Sequence, residues 1–274
     1  MLGNVHIFDC TFREVGYQTG WFFDIDFCRD YYKFAQAAGI DYLDLGFFHN
    51  PKADPGRGLF RYCSECNDQI NDVFKATKNT VRLSAMRDIQ RPLSPLKKRS
   101  ESVIDAVRIL TRSSETDLNV LGKHVEEIKN LGYEIFINFT SAGRNTPELN
   151  REFAKFGVKM GIPVIYFADT ESIFTEQYVR DAIDICKAEK IEAGIHLHDK
   201  NGAAEILLDV ALHYGCHYTD TTLLGLGGKW HDGNISTEHF LRKFHYNPGY
   251  EQTRLKTMLI RQLIKYHDKD SSVF

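Results

Sequence analysis

Two histidines one residue apart, His196 and His198, close the run Glu192-Ala193-Gly194-Ile195 and precede Asp199-Lys200-Asn201-Gly202. In an extended strand, positions i and i+2 face the same side, so both imidazoles can converge on one ion while Leu197 packs the other way. That spacing predicts a metal site. A second segment, Gly225-Leu226-Gly227-Gly228-Lys229-Trp230-His231-Asp232-Gly233-Asn234, is rich in glycine. Its backbone can approach a ligand closely, and the terminal asparagine can offer an amide oxygen to a hard cation. Taken alone, such a loop is more often a tight turn before a helix, here capped by Asn234 or Ser236; beside the histidine pair it gains weight. The spacing Cys63-Ser64-Glu65-Cys66 has no second pair or nearby histidine to complete four zinc ligands and reads as two ordinary thiols.

The elements that must position these residues alternate. Short runs rich in β-branched and aromatic residues predict strands over 5–9, 42–48, 81–86, 106–110, 134–140, 164–168, 194–198 and 218–224. Helical patterns fall between them, over 26–38, 66–77, 117–131, 147–160, 175–189 and 203–214, with closing helices at 236–244 and 251–267. The connection 89–102 carries Pro92 and Pro95, so its helix is short or irregular. Eight βα units in a row predict an α/β fold, a TIM (β/α)8 barrel over about 5–245 with a short C-terminal helical extension, as a single domain over 1–274. In the last helix, Leu255, Met258, Leu259, Leu263 and Ile264 form a stripe that is expected to pack on the barrel.

Polar residues recur near the predicted strand ends: Arg13 and Glu14, Asp44, Arg87 and Asp88, Thr111 and Arg112, Asn138 and Thr140, Asp169 and Thr170, Asp220 and Thr222. Barrel active sites are built at that rim, although any one such residue can simply cap a helix. Composition narrows the partners. Lys and Arg number 34 against 37 Asp and Glu, a net charge of −3, with no basic face to track phosphates, so nucleic acid is not expected. There is no apolar stretch of membrane-spanning length and no basic-then-apolar leader, so no membrane is expected, and the location reads as cytoplasmic.

Asp9-Cys10-Thr11-Phe12-Arg13-Glu14-Val15-Gly16-Tyr17 resembles the D-x-T-L-R-D-G signature of the DRE-TIM metallolyases, the group of 4-hydroxy-2-oxovalerate aldolase, HMG-CoA lyase, and isopropylmalate and homocitrate synthases. The likeness continues through Leu43-Asp44-Leu45-Gly46, Ala106-Val107-Arg108-Ile109, Tyr166-Phe167-Ala168-Asp169-Thr170, His196-Leu197-His198-Asp199 and Asp220 to Asn234. The resemblance implies a divalent ion, Mg²⁺ or Mn²⁺ with Zn²⁺ as a further choice, held by Glu14, His196, His198 and Asn234. Arg13 would stabilise an enolate oxygen, and Asp44 would orient Arg13 or move a proton. The substrate would be a small 2-oxo acid, and a homodimer is expected by the same analogy.

Three positions depart from the family pattern. Glu14 stands where aspartate is usual, Asp44 where glutamate is usual, and Tyr17 where the aldolases carry a histidine base. The base is therefore open among Tyr17, His49 and His231, with Tyr17 favoured by its place in the motif and His231 by its place in the glycine loop. The cysteine of HMG-CoA lyase after Gly-Leu-Gly-Gly is Lys229 here, and only about fifty residues follow the eighth strand, which points to a stand-alone aldolase or lyase acting next to a pyruvate-like enolate. An acyl-CoA-dependent Claisen enzyme and a barrel kept only for binding are the alternatives.

Overall fold

The computed structural model describes residues 5–243 and 250–267. Eight parallel strands close a barrel in chain order, β1 (His6–Asp9), β2 (Tyr42–Phe47), β3 (Arg82–Asp88), β4 (Ile104–Arg112), β5 (Glu134–Thr140), β6 (Val164–Asp169), β7 (Glu192–Leu197) and β8 (Tyr218–Thr221), with β8 pairing back onto β1. Around them lie α1 (Thr11–Thr19), α2 (Ile25–Ala37), α3 (Asn67–Phe74), α4 (Leu118–Asn130), α5 (Pro147–Lys159), α6 (Glu176–Ala188), α7 (Ala204–His213), α8 (Thr237–Lys243) and α9 (Tyr250–Tyr266). The barrel and the helical extension are those expected; the far ends of the segments predicted to close at 244 and 245 lie outside the described residues.

Four expectations need correction. A helix, α1, follows β1 directly, so Arg13 and Glu14 sit in its first turn rather than at a strand end. Strand β8 stops at Thr221, because Leu224 takes a left-handed conformation (φ 63°) that no strand continues through. His198 lies just past β7 and is held by an isolated bridge to Asn234. In α9, Leu255 and Leu259 are buried and the helix packs on α1 and α2, but Ile264 is 75% exposed, since Gln262 takes the buried face at that level and bonds Asp24.

The barrel interior follows the period of two. The registers Leu110↔Asn138, Asn138↔Tyr166, Tyr166↔Gly194 and Gly194↔Tyr218 set alternate side chains into layers. The lower layer is aromatic: Phe8 stacks on Tyr42 with centroids 4.0 Å apart, and Phe136 and Tyr166 meet Phe8 edge-on. Gly194 is required there, because a Cβ would stand 2.6 Å from the Tyr166 ring. Above this layer Arg108 lies flat, its guanidinium 4.5 Å from the Phe8 ring and 4.6 Å from the Tyr166 ring. The barrel is thus stopped from beneath, and a charged residue forms the floor of whatever lies above.

Candidate metal centre

The first turn of α1 is fixed before it presents any chemistry. Asp9 accepts from the Thr11 amide (2.9 Å), from the Tyr31 hydroxyl (2.8 Å) and from the Thr237 hydroxyl (2.7 Å), tying β1 to α2 and α8. Thr11 Oγ1 accepts from the Leu223 amide at 2.8 Å, which anchors the end of β8 to the same turn. On that staple Arg13 and Glu14 point into the barrel mouth and are buried.

Glu14, His196 and His198 each offer one donor atom within 4.8 Å of the others, the only such group of three among the described residues. His196 Nε2 faces Glu14 Oε1 at 3.6 Å, while its Nδ1 lies 3.0 Å from Asp220 Oδ2. His198 Nδ1 lies 3.2 Å from the Gly233 carbonyl. Each imidazole thus has Nδ1 close to an oxygen, which turns Nε2 toward the cluster, the orientation that outer partners impose on ligating histidines. Asn234 adds a buried Oδ1 with no hydrogen-bond partner, paired across a bridge to His198. An orphaned buried oxygen beside two imidazoles and a carboxylate is what a divalent cation would satisfy. The formal charges agree: Glu14, Asp44 and Asp220 face Arg13 and Arg108, leaving one excess negative charge in a buried cluster. The donor set therefore fits a divalent metal.

The glycine loop closes over these ligands. At Gly227 (φ 119°) a Cβ would stand 2.4 Å from Glu14 Cβ, and at Gly228 (φ 87°) 3.2 Å from His198 Cε1. Gly227 is required by close approach as well as by conformation, and Gly228 by its conformation.

Arg13 bridges the two exchanged carboxylates, with Nη1 2.8 Å from Glu14 Oε1 and Nε 3.1 Å from Asp44 Oδ2. Asp44 lies mid-strand, deeper than the rim, where burial pushes its carboxyl up against the pull of Arg13 and Arg108. Although burial works the other way, Arg13 and the two histidines bring Glu14 below its ordinary value. Sequence reasoning placed Asp220 only at the rim and gave Arg108 no role. Arg108 reaches Asp44 Oδ2 at 2.9 Å and Asp220 Oδ2 at 2.8 Å, and Asp220 in turn touches Arg13 (3.4 Å) and His196. The signal for Arg108 was present: a cation between Val107 and Ile109 in a strand that is otherwise largely buried.

Other rim residues have the plainer use. Arg87 points outward to Glu127 on α4 at 3.0 Å, and Asp169 accepts from the Ile173 and Phe174 amides. Tyr17 and His49 line the cavity above the cluster, about 360 Å³ in volume, together with Asn138 and Thr140. His231 is exposed, its Nδ1 2.9 Å from Gln18 Nε2, and does not line that cavity; Lys229 and Trp230 from the same loop do. Cys63 is buried and Cys66 half-buried, both as free thiols. No helix among the described residues is long and apolar enough to cross a membrane.

Residues 4–266 match the family model described as HMGL-like. An oxaloacetate decarboxylase of Mycobacterium tuberculosis is 23% identical over 228 residues, 81% of this chain and 65% of its own length. A 4-hydroxy-2-oxovalerate aldolase of Thermomicrobium roseum is 29% identical over 159 residues, 57% of this chain and 44% of its own. The chain therefore spans less than two thirds of these relatives. Among solved structures, the HMG-CoA lyase of Brucella melitensis superposes with a TM-score of 0.71 at 18% identity, covering 97% of this chain and 99% of that one, a likeness of fold.

Proposed function

Since the chain belongs to the HMGL-like family, and with it to the DRE-TIM metallolyases, we propose that it is a divalent-metal-dependent aldolase or lyase that makes or breaks the C–C bond next to the enolate of a pyruvate-like 2-oxo acid. The observation that carries this reading is the convergence of Glu14, His196 and His198 within 4.8 Å at the base of a cavity, with the Arg13 guanidinium beside them. A cation held by these three residues and Asn234 would supply Lewis acidity to the carboxylate and ketone oxygens of the 2-oxo acid.

The protein's own groups do the rest. Arg13, itself buried, presents a fixed positive charge where negative charge would develop on the enolate oxygen. Tyr17, its phenol pushed up to about 12 by burial and by the Glu14 carboxylate, is protonated at neutral pH and suits proton donation, not acceptance. In this reading His49 serves as the base. Its side chain is 7% exposed, its Nε2 is buried without a hydrogen-bond partner, and its Nδ1 faces Asp54 Oδ2 at 3.9 Å. In the cleavage direction His49 Nε2 takes the proton of the 4-hydroxyl, the C–C bond electrons pass to C3 of the 2-oxo acid, and an aldehyde leaves.

A Mn²⁺ titration of the metal-stripped protein, followed by electron paramagnetic resonance, tests the first step. One site per chain is expected, lost in His198→Ala, and the loaded protein should exchange the methyl protons of pyruvate with deuterium. Absence of a site, or a site indifferent to His198→Ala, would move the binding-only barrel to the front.

The assignment of His49 has its own signature. Burial lowers its pKa below the ordinary 6.5, with Arg61 acting the same way and Asp54 and Asp88 opposing. A base works unprotonated, so kcat/KM should hold at neutral pH and fall only as the pH drops through that lowered value. In His49→Ala the rate should be lower by about 10²-fold or more, and the acid limb should vanish. An unchanged pH profile in the variant would exclude His49.

A further inference from the structure

The cavity above the metal ligands continues sideways into a second chamber of about 320 Å³, and Tyr17, His49, Arg61, Arg91 and Lys229 line both. This side chamber is walled by four cations, Arg57, Arg61, Arg91 and Lys229, against one carboxylate, Asp54. That carboxylate is already engaged: Arg61 Nε lies 2.6 Å and Arg57 Nε 3.4 Å from it, and the His49 ring, then Arg61 and Arg57, hold it well below the usual carboxylate range.

Arg61 is held like a fixed recognition group. Its guanidinium stacks 4.1 Å from the Trp21 ring and 4.8 Å from the Phe47 ring, its side chain is 12% exposed, and Asp54 pins Nε. Nη1 remains buried with no hydrogen-bond partner. A guanidinium offers several donors in a planar fork, so an arm left over when one side is pinned is suited to a carboxylate or phosphate oxygen. Lys229, at the open side, has no ion-pair partner among the described residues and lies 5.1 Å from the Trp230 ring. Arg91 Nε is 3.7 Å from Asp88, beyond hydrogen-bond distance. A purely structural role for the Asp54 and Arg61 pair would explain the pin on Nε but neither the spare Nη1 nor the added cations around it.

We propose that the side chamber binds an anionic group on the aldehyde fragment of the substrate, a carboxylate or a phosphate, with Arg61 as the central contact and Lys229 and Arg91 at its rim. The inference rests on the aldolase reading above. His49 lines both spaces, so a substrate whose 2-oxo acid end lies at His196 and His198 and whose hydroxyl meets His49 extends its remaining carbons into this chamber. The chamber is therefore a specificity site for the aldehyde and leaves the 2-oxo acid to the deeper cluster.

The test uses the full chain loaded with Mn²⁺, pyruvate as donor, and three aldehydes: propanal, succinic semialdehyde and glyceraldehyde 3-phosphate. At least one anionic aldehyde should exceed propanal in kcat/KM by about 30-fold or more, the scale of a charge-assisted contact. Which of the two it is identifies the anion. Arg61→Gln should bring that ratio close to one, and Lys229→Ala, an exposed change that spares the fold, should lower it by about threefold as expected for a rim charge. Calorimetric titration with inorganic phosphate and with succinate supplies a readout free of turnover: one anion per chain, weakened about tenfold or more in Arg61→Gln. Anion binding with no aldol product from any aldehyde would overturn the aldolase reading and leave the chamber standing as an anion site. Aldol product with no anionic preference, or a preference that survives Arg61→Gln, would overturn the chamber.

Discussion

Arg108→Leu is expected to cost about 3–5 kcal/mol of folding stability, the usual penalty when one partner of a buried ion pair is removed. At a few degrees per kcal/mol for a chain of this size, that corresponds to a fall of roughly 10 °C in Tm. The cause is specific. Arg108 is fully buried, and the carboxylates it holds, Asp44 and Asp220, are 0% and 2% exposed. Leucine fills much of the space above Phe8 and Tyr166 but leaves two carboxylates facing each other with only Arg13 and His196 to compensate. Arg108→Leu combined with Asp220→Asn should therefore recover part of the loss, because it also removes a charge. Thermal unfolding of the three proteins decides the matter. A single variant as stable as the wild type would mean that the aromatic stack alone carries the floor.

Arg13→Gln should separate binding from chemistry. The residue touches Glu14, Asp44 and Asp220 but is not itself a ligand, so Mn²⁺ binding should persist while deuterium exchange into pyruvate falls about 10²–10³-fold, the loss typical of removing one donor to a developing oxyanion. Lysine should not rescue it, because a point charge cannot span three carboxylates as the planar fork does. Loss of Mn²⁺ binding together with exchange would instead make Arg13 a support for Glu14 and leave the enolate without its assigned partner.

How far the fold and site could be read in advance depended on the range of the information. The barrel followed from counting strands, since each strand declares itself locally, and His196 and His198 followed from a two-residue period that register cannot alter without turning both away. Helix α1 has a weak local signal because Gly16 and Thr11 lower its propensity; it is held through Asp9 and Thr11 by Tyr31, Leu223 and Thr237, and by the glycine loop, all of which approach from distant parts of the chain. The pairing of Arg108 with Asp220 spans 112 residues and arises only when β8 closes on β1, so no local pattern announces it. His49 and Arg61 belong to a long connection without regular strands or α-helices, between β2 and α3, and meet through a backbone hydrogen bond and through Asp54, contacts that no local pattern announces. The exposed setting of His231 was likewise beyond reach of the motif, which fixes the loop's glycines but not which of its side chains faces inward.

Phe8, Tyr42, Phe136 and Tyr166 stop the barrel below Arg108, so among the described residues no passage leads to the metal ligands from beneath. A cup filled only from above imposes a queue. On the aldolase reading, the fragment seated against His196 and His198 would have to enter before the one nearer Lys229. Product-inhibition kinetics should then show an ordered sequence, with the deeper fragment binding first and leaving last, set by aromatic rings that take no part in the chemistry.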